Sequence, residues 1–255
     1  MLNILKKNKF LKNAFYGIQP LHSFFRLRPL LFVKAFSRFF KEYQAYKKQT
    51  ENPAFTLAHI YPCLHDNTKY TPVEPTYFFQ DTWAAKKIFE LKPQHHYDIG
   101  SAVTTIGILS QFVPTTMIDI RPLELSLDNL YFIEGSILKI PIEDHTLETI
   151  SSLCVVEHIG LGRYGDAIDS FGSEKAIQEL KRVVKKKGHI LFSVPVDSKN
   201  KIYFNAHRAF TRSYILTLFH GFQLIEEKYH YGTKLYADYD SEKGFGTGFY
   251  MFQKI

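Results

Sequence analysis

From residue 96 onward, short apolar runs alternate with stretches whose apolar positions recur every three or four residues, with turn-forming residues between them. The runs predict strands near 96–101, 115–120, 131–137, 149–155 and 189–195, then a long closing pair at 222–232 and 247–255. Helices fit 105–112, 173–187 and 211–219. A further helix fits "TYFFQDTWAAKKIFEL", residues 76–91, with Phe79, Trp83, Ile88 and Phe89 inward and Pro93 ending it. In the helix at 173–187, Ser173 is placed to cap, Glu174 suits the positive first turn, and Lys185, Lys186 and Lys187 precede a Gly188 stop. Strands alternating with helices predict an α/β domain over 76–255, its sheet mostly parallel with helices on both faces.

Ahead of it, 51–75 is rich in Pro, Asn and Thr and reads as an irregular lead-in. Before that, Phe32, Phe36, Phe39, Phe40, Tyr43 and Tyr46 recur at helical spacing, with Lys34, Arg38, Lys41, Lys47 and Lys48 largely elsewhere on the wheel. Residues 1–50 are therefore expected to form a basic amphipathic helical extension. Its two readings are peripheral contact with an anionic membrane through residues 1–48, or docking on the protein's own core or a partner. The apolar run ending at Val33 is too short to span a bilayer and no signal-peptide core follows "KKNK". The expected location is the cytoplasm, at the inner face of the cytoplasmic membrane if the helix binds lipid.

Charge sharpens this division. Residues 1–50 carry a net +10 and the other 205 a net −3, so the overall +7 belongs to the extension. A general nucleic-acid binder would carry its positive stripe on the folded domain, and no nucleic-acid partner is expected. The two cysteines, Cys63 and Cys154, fit neither a disulfide framework nor a zinc knuckle.

In such a sheet, ligands lie beyond the carboxyl ends of the strands. The first strand leads into "YDIGSAVTT", where Gly100 lets backbone approach a ligand. The second ends at Asp119, nineteen residues beyond Gly100, where a carboxylate can accept hydrogen bonds from both hydroxyls of a ribose. The fourth is followed by Glu157 and His158 and a glycine-rich loop of lid-like composition. His158 reads either as a general base or as a buried imidazole bonded to a neighbouring acid, and His207 is the rival base. Glu157, His158, Asp166 and Asp169 match no defined metal-site spacing, and no metal is expected.

The order of these blocks resembles the class I S-adenosylmethionine-dependent methyltransferases. "YDIGS" looks like their first motif, "MIDIRP" like the acidic second, "EGSILKIPIEDHTLETISSLCVVEHI" like the third-to-fourth strand block, and "AIQELKRVVKKKGHILFSVPV" like the fifth strand and its helix. More narrowly, "TYFFQDTWAAKKI" with "EHIGLGRYGDAID" is similar to a bacterial group of methyltransferase-like proteins associated with surface-polysaccharide genes. The resemblance implies a Rossmann-like seven-stranded methyltransferase sheet with an antiparallel C-terminal strand, and S-adenosyl-L-methionine as cofactor. It places Asp98, Gly100 and Ser101 near the methionine moiety and Asp119 at the ribose. Ser136 stands where an Asp often meets the adenine amino group, so its hydroxyl or a backbone amide at Ser136–Ile137 takes that role. Gln80, on the preceding helix, closes the pocket.

Two of the family's three loop glycines are absent: Ala102 and Thr104 replace them. Ala is tolerable at negative φ, and a Thr can cap the following helix. The implied activity is methylation of an oxygen on a small-molecule or glycan acceptor, with Glu157, His158 and His207 as catalytic candidates. The alternatives are an inactive methyltransferase-fold scaffold at the membrane and a nicotinamide-dependent oxidoreductase, whose G-x-G-x-x-G fingerprint the loop lacks.

Overall fold

The computed structural model describes residues 28–49, 54–55, 60, 62–64 and 66–255. Residues 1–27 of the basic extension lie outside them. The chain divides into two units, Met1–Pro72 and Val73–Ile255. In the first, helix α1 (Arg28–Lys47) leaves Leu31, Val33, Phe36, Phe40 and Tyr46 exposed, while Arg38 reaches the Leu64 carbonyl. Among the described residues no helix is long and apolar enough to cross a membrane.

The second unit opens with α2 (Pro75–Leu91), capped by the Glu74 carboxylate on the Tyr77 amide. Then come β1 (His96–Ile99), α3 (Val103–Leu109), β2 (Thr115–Asp119), β3 (Leu130–Glu134), β4 (Leu147–Leu153), α4 (Gly172–Val183) and β5 (Val184–Val196). A hairpin, β6 (Lys201–Tyr203) and β7 (His207–Ala209), precedes α5 (Arg212–Leu218), β8 (Phe222–Tyr231), β9 (Lys234–Tyr236) and β10 (Gly246–Lys254). The main sheet runs β3-β2-β1-β4-β5-β10-β8-β9, eight strands where seven were expected, because β9 adds to the edge. β1 to β5 pair in parallel, and β10 lies antiparallel between β5 and β8.

Each face of the sheet buries apolar side chains against helices. On one face Ile99, Ile150 and Phe192 meet Ile177 and Leu180 of α4 and Ile215 of α5, and Phe219 stacks on Phe252 at 4.0 Å between ring centroids. On the other, Met117, Leu153 and Phe249 meet Ile106 of α3 and Trp83 and Ile88 of α2. Trp83 stacks on Phe249 and donates its indole N–H to Glu226 (3.0 Å), which satisfies the one polar atom of a core residue. Burying each such large side chain stabilises the fold by about 1.5–3 kcal/mol. Strand order reverses between β1 and β4, and that reversal opens a crevice at their carboxyl ends.

Local expectations fail at several places: on α2, Phe89 was expected inward but is 63% exposed. α4 stops at Val183 rather than running to Lys187: the Thr146 amide takes the Val183 carbonyl, and Val184 pairs with Leu147 to start β5 early. The last turn is capped by Lys254, whose ammonium donates to the carbonyls of Lys181 (2.7 Å) and Val184 (2.8 Å). Gly188 lies within the strand, where a Cβ would meet the Leu147 carbonyl oxygen at 2.8 Å. Ser173 does not cap α4 but donates to the Val156 carbonyl (2.8 Å). β3 ends at Glu134, three residues before its expected limit.

Candidate active site

The loop after β1 explains its missing glycines. Gly100 is at φ +73°, and a Cβ there would come within 2.9 Å of Val155 Cγ1, so this glycine is required. Ala102, at φ −61° and ψ 121°, sits in ordinary extended backbone as the N-cap of α3 and needs no glycine. No side chain caps this helix; Thr104 lies within its first turn, and Thr105 Oγ1 donates instead to Asp81 (2.7 Å).

Asp98 holds this loop from behind. Fully buried, it accepts from the Ser101 amide (3.0 Å), from Ser101 Oγ (2.6 Å) and from Ser151 Oγ, while Ser101 Oγ accepts from the Leu153 amide (3.0 Å). Burial pushes the Asp98 carboxyl up to about 6 against the pull of these donors. Since Ser151 gives its proton to Asp98, it accepts from His96 Nε2 (3.0 Å), leaving His96 Nδ1 to accept from Thr149 Oγ1 (3.0 Å). Asp98 thus shapes the cavity without lining it. Gln80 is likewise interior: fully buried, it accepts from Ser193 Oγ (2.6 Å).

Two adjoining cavities open at the carboxyl edge of the sheet. The first, about 270 Å³, brings together Gly100, Asp119, Ser136, Ile137 and His158. Ile118, Ile120, Leu138, Val155 and Ile159 give it apolar walls. Asp119 lies at its rim, 6% exposed, and accepts from the Arg121 amide (2.8 Å), Nε (3.1 Å) and Nη2 (3.2 Å). Arg121 was not singled out from the sequence, although it follows the acid by two residues.

The second cavity, about 440 Å³, collects Ser101, Glu157, His158 and His207 with Tyr77, Arg163 and Phe245. The two share Gly100, Arg121, Cys154, His158 and Tyr164. His158 therefore stands at the seam. Its Nδ1 donates to the Ala206 carbonyl (2.6 Å), which leaves Nε2 as the nitrogen with a free lone pair. Burial, reinforced by the Arg163 charge, drives its pKa down to about 4 although the Ala206 carbonyl opposes the shift. Glu157 is 2% exposed, its Oε2 has no hydrogen-bond partner among the described residues, and burial pushes its carboxyl up to about 8. Both groups are consequently neutral at pH 7, and the 3.7 Å separation of His158 Nε2 and Glu157 Oε1 is not an ion pair. His207 packs between Tyr203 (5.0 Å) and Phe245 (5.4 Å), with burial lowering its pKa.

The glycine-rich loop beyond His158 is tied down by its own acids. Asp166 accepts from the amides of Gly160 (2.6 Å) and Tyr164 (3.2 Å), and Asp169 binds Lys175 (2.6 Å). Arg208 holds the carbonyls of Ile159 (2.5 Å) and Asp169 (3.0 Å). Among the described residues no group of three or more His, Cys, Asp and Glu side chains is arranged to hold a metal ion. Gly160 and Gly165 have φ +80° and +83°, but a Cβ at Gly160 would sit 2.1 Å from the Asp169 carbonyl oxygen, whereas one at Gly165 meets nothing within 4 Å. Gly160→Ala is therefore expected to cost about 2–3 kcal/mol in thermal unfolding and Gly165→Ala about 1 kcal/mol. Equal costs would show that strain in φ alone matters at both.

The model of a family described as "Caenorhabditis protein of unknown function, DUF268" matches residues 142–244. No curated protein matches the sequence. Among solved structures, a Galdieria sulphuraria protein provisionally assigned as a sarcosine dimethylglycine methyltransferase is 16% identical, with a TM-score of 0.52 over 69% of this chain and 86% of that one. The YcgJ protein of Bacillus subtilis is 14% identical, with a TM-score of 0.50 over 69% of this chain and 98% of that one. The fold is the Rossmann-like one of these solved structures, a mostly parallel sheet with an antiparallel strand near its edge. Its crevice is where the two cavities lie, between the ends of β1, β2 and β4.

Proposed function

We propose that the chain is an S-adenosylmethionine-dependent methyltransferase acting on an oxygen of a sugar or other glycan precursor. The observation that carries this reading is the seam: two cavities of different character meet at Gly100, Cys154 and His158. The first fits the cofactor on its own chemistry. Its apolar walls suit an adenine ring, the Asp119 carboxylate suits paired ribose hydroxyls, and Gly100 lacks the Cβ that would crowd the seam. Ser136 and Ile137 line the adenine side. When bound, S-adenosylmethionine supplies a methyl group already activated on a sulfonium, so catalysis reduces to alignment and removal of one proton.

His158 serves as the proton acceptor, because its Nδ1 is committed to Ala206, Nε2 keeps the free lone pair, and the residue lines both cavities. Glu157, kept neutral by burial, offers the acceptor a hydrogen bond from the cavity floor. His207, Tyr77 and Phe245 give that cavity the aromatic lining that sugar rings pack against. Helix α1 presents Val33, Phe36 and Phe40 on an exposed stripe beside Lys34 and Lys41, and supports peripheral contact with an anionic membrane from the cytoplasmic side.

Calorimetry on the full chain with S-adenosylmethionine, S-adenosylhomocysteine and NAD tests the reading. Heat is expected with the two sulfur ligands and none with NAD. Binding of neither sulfur ligand would support the rival of an inactive scaffold, which draws on the closure of Asp119 by Arg121. Binding of NAD alone would support an oxidoreductase. Methyl transfer to neutral and charged monosaccharides then tests the acceptor class. Co-sedimentation with anionic vesicles is expected to disappear when residues 1–48 are removed; equal sedimentation of the shortened chain would refute the membrane role.

A further inference from the structure

Two arginines flank one aromatic ring at the seam of the cavities. The Cζ of Arg121 lies 5.1 Å from the Tyr164 ring centroid and that of Arg163 lies 5.2 Å from it. Both side chains line the second cavity, together with His207. Arg163 Nη1 donates to the Ala206 carbonyl (3.0 Å) and lies 3.3 Å from His158 Nδ1, and among the described residues no ion pair joins it to a carboxylate. The acids that share the cavity do not neutralise it: Glu74 is engaged with the Tyr77 amide (2.8 Å), and Glu157 is buried in the floor. A guanidinium held on a tyrosine face and left without an anion in a concave site is poised for an oxyanion, which its planar fork can bind through two parallel N–H groups.

Arg121 differs in having a partner, but that partner is needed elsewhere. Its Nε and Nη2 occupy the two carboxylate oxygens of Asp119. Ribose hydroxyls would seek the same oxygens, and a ligand there must displace some of those bonds. The arginine can give way, since its side chain is 64% exposed while that of Asp119 is 7% exposed. A pair with one partner so exposed is a weak one. Once freed, the guanidinium remains against Tyr164 and on the wall of the second cavity, beside Arg163.

We infer that the acceptor carries a phosphate or carboxylate group, bound by Arg163 and by an Arg121 that leaves Asp119 as the cofactor enters. The inference rests on the methyltransferase reading for its occupant of the first cavity. It makes acceptor binding follow cofactor binding: an occupied Asp119 releases the second arginine of the oxyanion subsite. It also narrows the acceptor from glycan precursors in general to those bearing an acidic or phosphorylated group near the methylated position.

The test uses calorimetry on the full chain with three probes, glucose 1-phosphate, glucuronate and uncharged methyl glucoside, each with and without saturating S-adenosylhomocysteine. A charged probe is expected to bind at least about tenfold more tightly than methyl glucoside, and more tightly still with S-adenosylhomocysteine present. Preference between phosphate and carboxylate identifies which oxyanion the subsite takes. Arg163→Gln should weaken the charged probe about tenfold and leave S-adenosylhomocysteine binding unchanged. Arg121→Gln should act with opposite signs, weakening the charged probe in the complex while tightening S-adenosylhomocysteine roughly threefold, because Asp119 no longer has to be vacated. If Arg121→Gln weakens both ligands, the arginine is a brace and the exchange is wrong. If methyl glucoside binds as well as the charged probes, or Arg163→Gln changes nothing, the oxyanion subsite is wrong. Failure of the unaltered chain to bind S-adenosylhomocysteine would instead strike the methyltransferase reading, and Arg163 would still be judged by the charged probes on the free protein.

Discussion

Asp119→Ala is expected to lose at least about 100-fold in affinity for S-adenosylhomocysteine, measured by calorimetry on the full chain. Two hydrogen bonds from ribose hydroxyls to a carboxylate contribute about 1.5–3 kcal/mol each when the acceptor is shielded from water, and about 3 kcal/mol corresponds to a little over 100-fold. Asp119 is shielded: it ends β2 with only 6% of its surface exposed, on the wall of the first cavity. The unliganded protein is expected to lose less, since the exposed Arg121 guanidinium keeps both water and the Tyr164 ring as partners once the carboxylate is gone. Thermal unfolding of the variant should therefore stay within about 1 kcal/mol of the parent. That combination separates a ligand contact from a structural ion pair. An unchanged affinity in a stable variant would remove Asp119 from the site.

The places of Asp119 and Gly100 at the crevice were legible in the sequence because they follow from position within a few residues. A strand-end acid and a tight-turn glycine leave local signals, and the spacing between them follows from one strand-helix-strand unit. The second cavity had weaker signals. His158 and His207 could be named as candidates, but nothing local shows that Ala206, 48 residues on, fixes the His158 tautomer. Arg121 reads as an ordinary surface arginine until Tyr164 is seen beneath it. The buried Asp98 shows the converse: its motif was clear, yet its carboxylate turns inward to Ser101 and Ser151.

The fold divides in the same way. Long strands with continuous apolar runs were visible from composition, whereas β6, β7 and β9 are three residues each and too short to carry a period. The sequence Lys185-Lys186-Lys187-Gly188 resembles a helix end. The end of α4 is instead set by pairing with Leu147 and by the ammonium of Lys254, both remote in sequence. Even so, the missing glycines of the first loop matter less than motif matching suggests: φ at Ala102 is negative, and the one position with positive φ keeps its glycine.

Glu157→Gln is expected to stabilise the unliganded protein increasingly as pH rises. The Glu157 carboxyl ionises near 4.5 when exposed and is raised to about 8 in the folded protein, chiefly by burial. Below pH 4.5 it is protonated in both states and costs nothing. Between 4.5 and 8 the unfolded chain releases this proton and the folded chain retains it, so stability falls with each pH unit by about 1.4 kcal/mol. Above 8 the folded form ionises too and the loss levels off, at a total on the order of 5 kcal/mol. Glutamine keeps the shape and a hydrogen-bond donor without the titration. The difference in unfolding free energy between variant and parent should accordingly grow from pH 4.5 to about pH 8 and level off above it, and a pH-independent difference would refute the raised pKa. Asp98, raised to about 6, titrates in the same direction but is common to both proteins and cancels in the comparison. A carboxyl retained at this cost in a floor position, with Oε2 unpartnered, is what an acceptor hydroxyl or carbonyl in the second cavity would use.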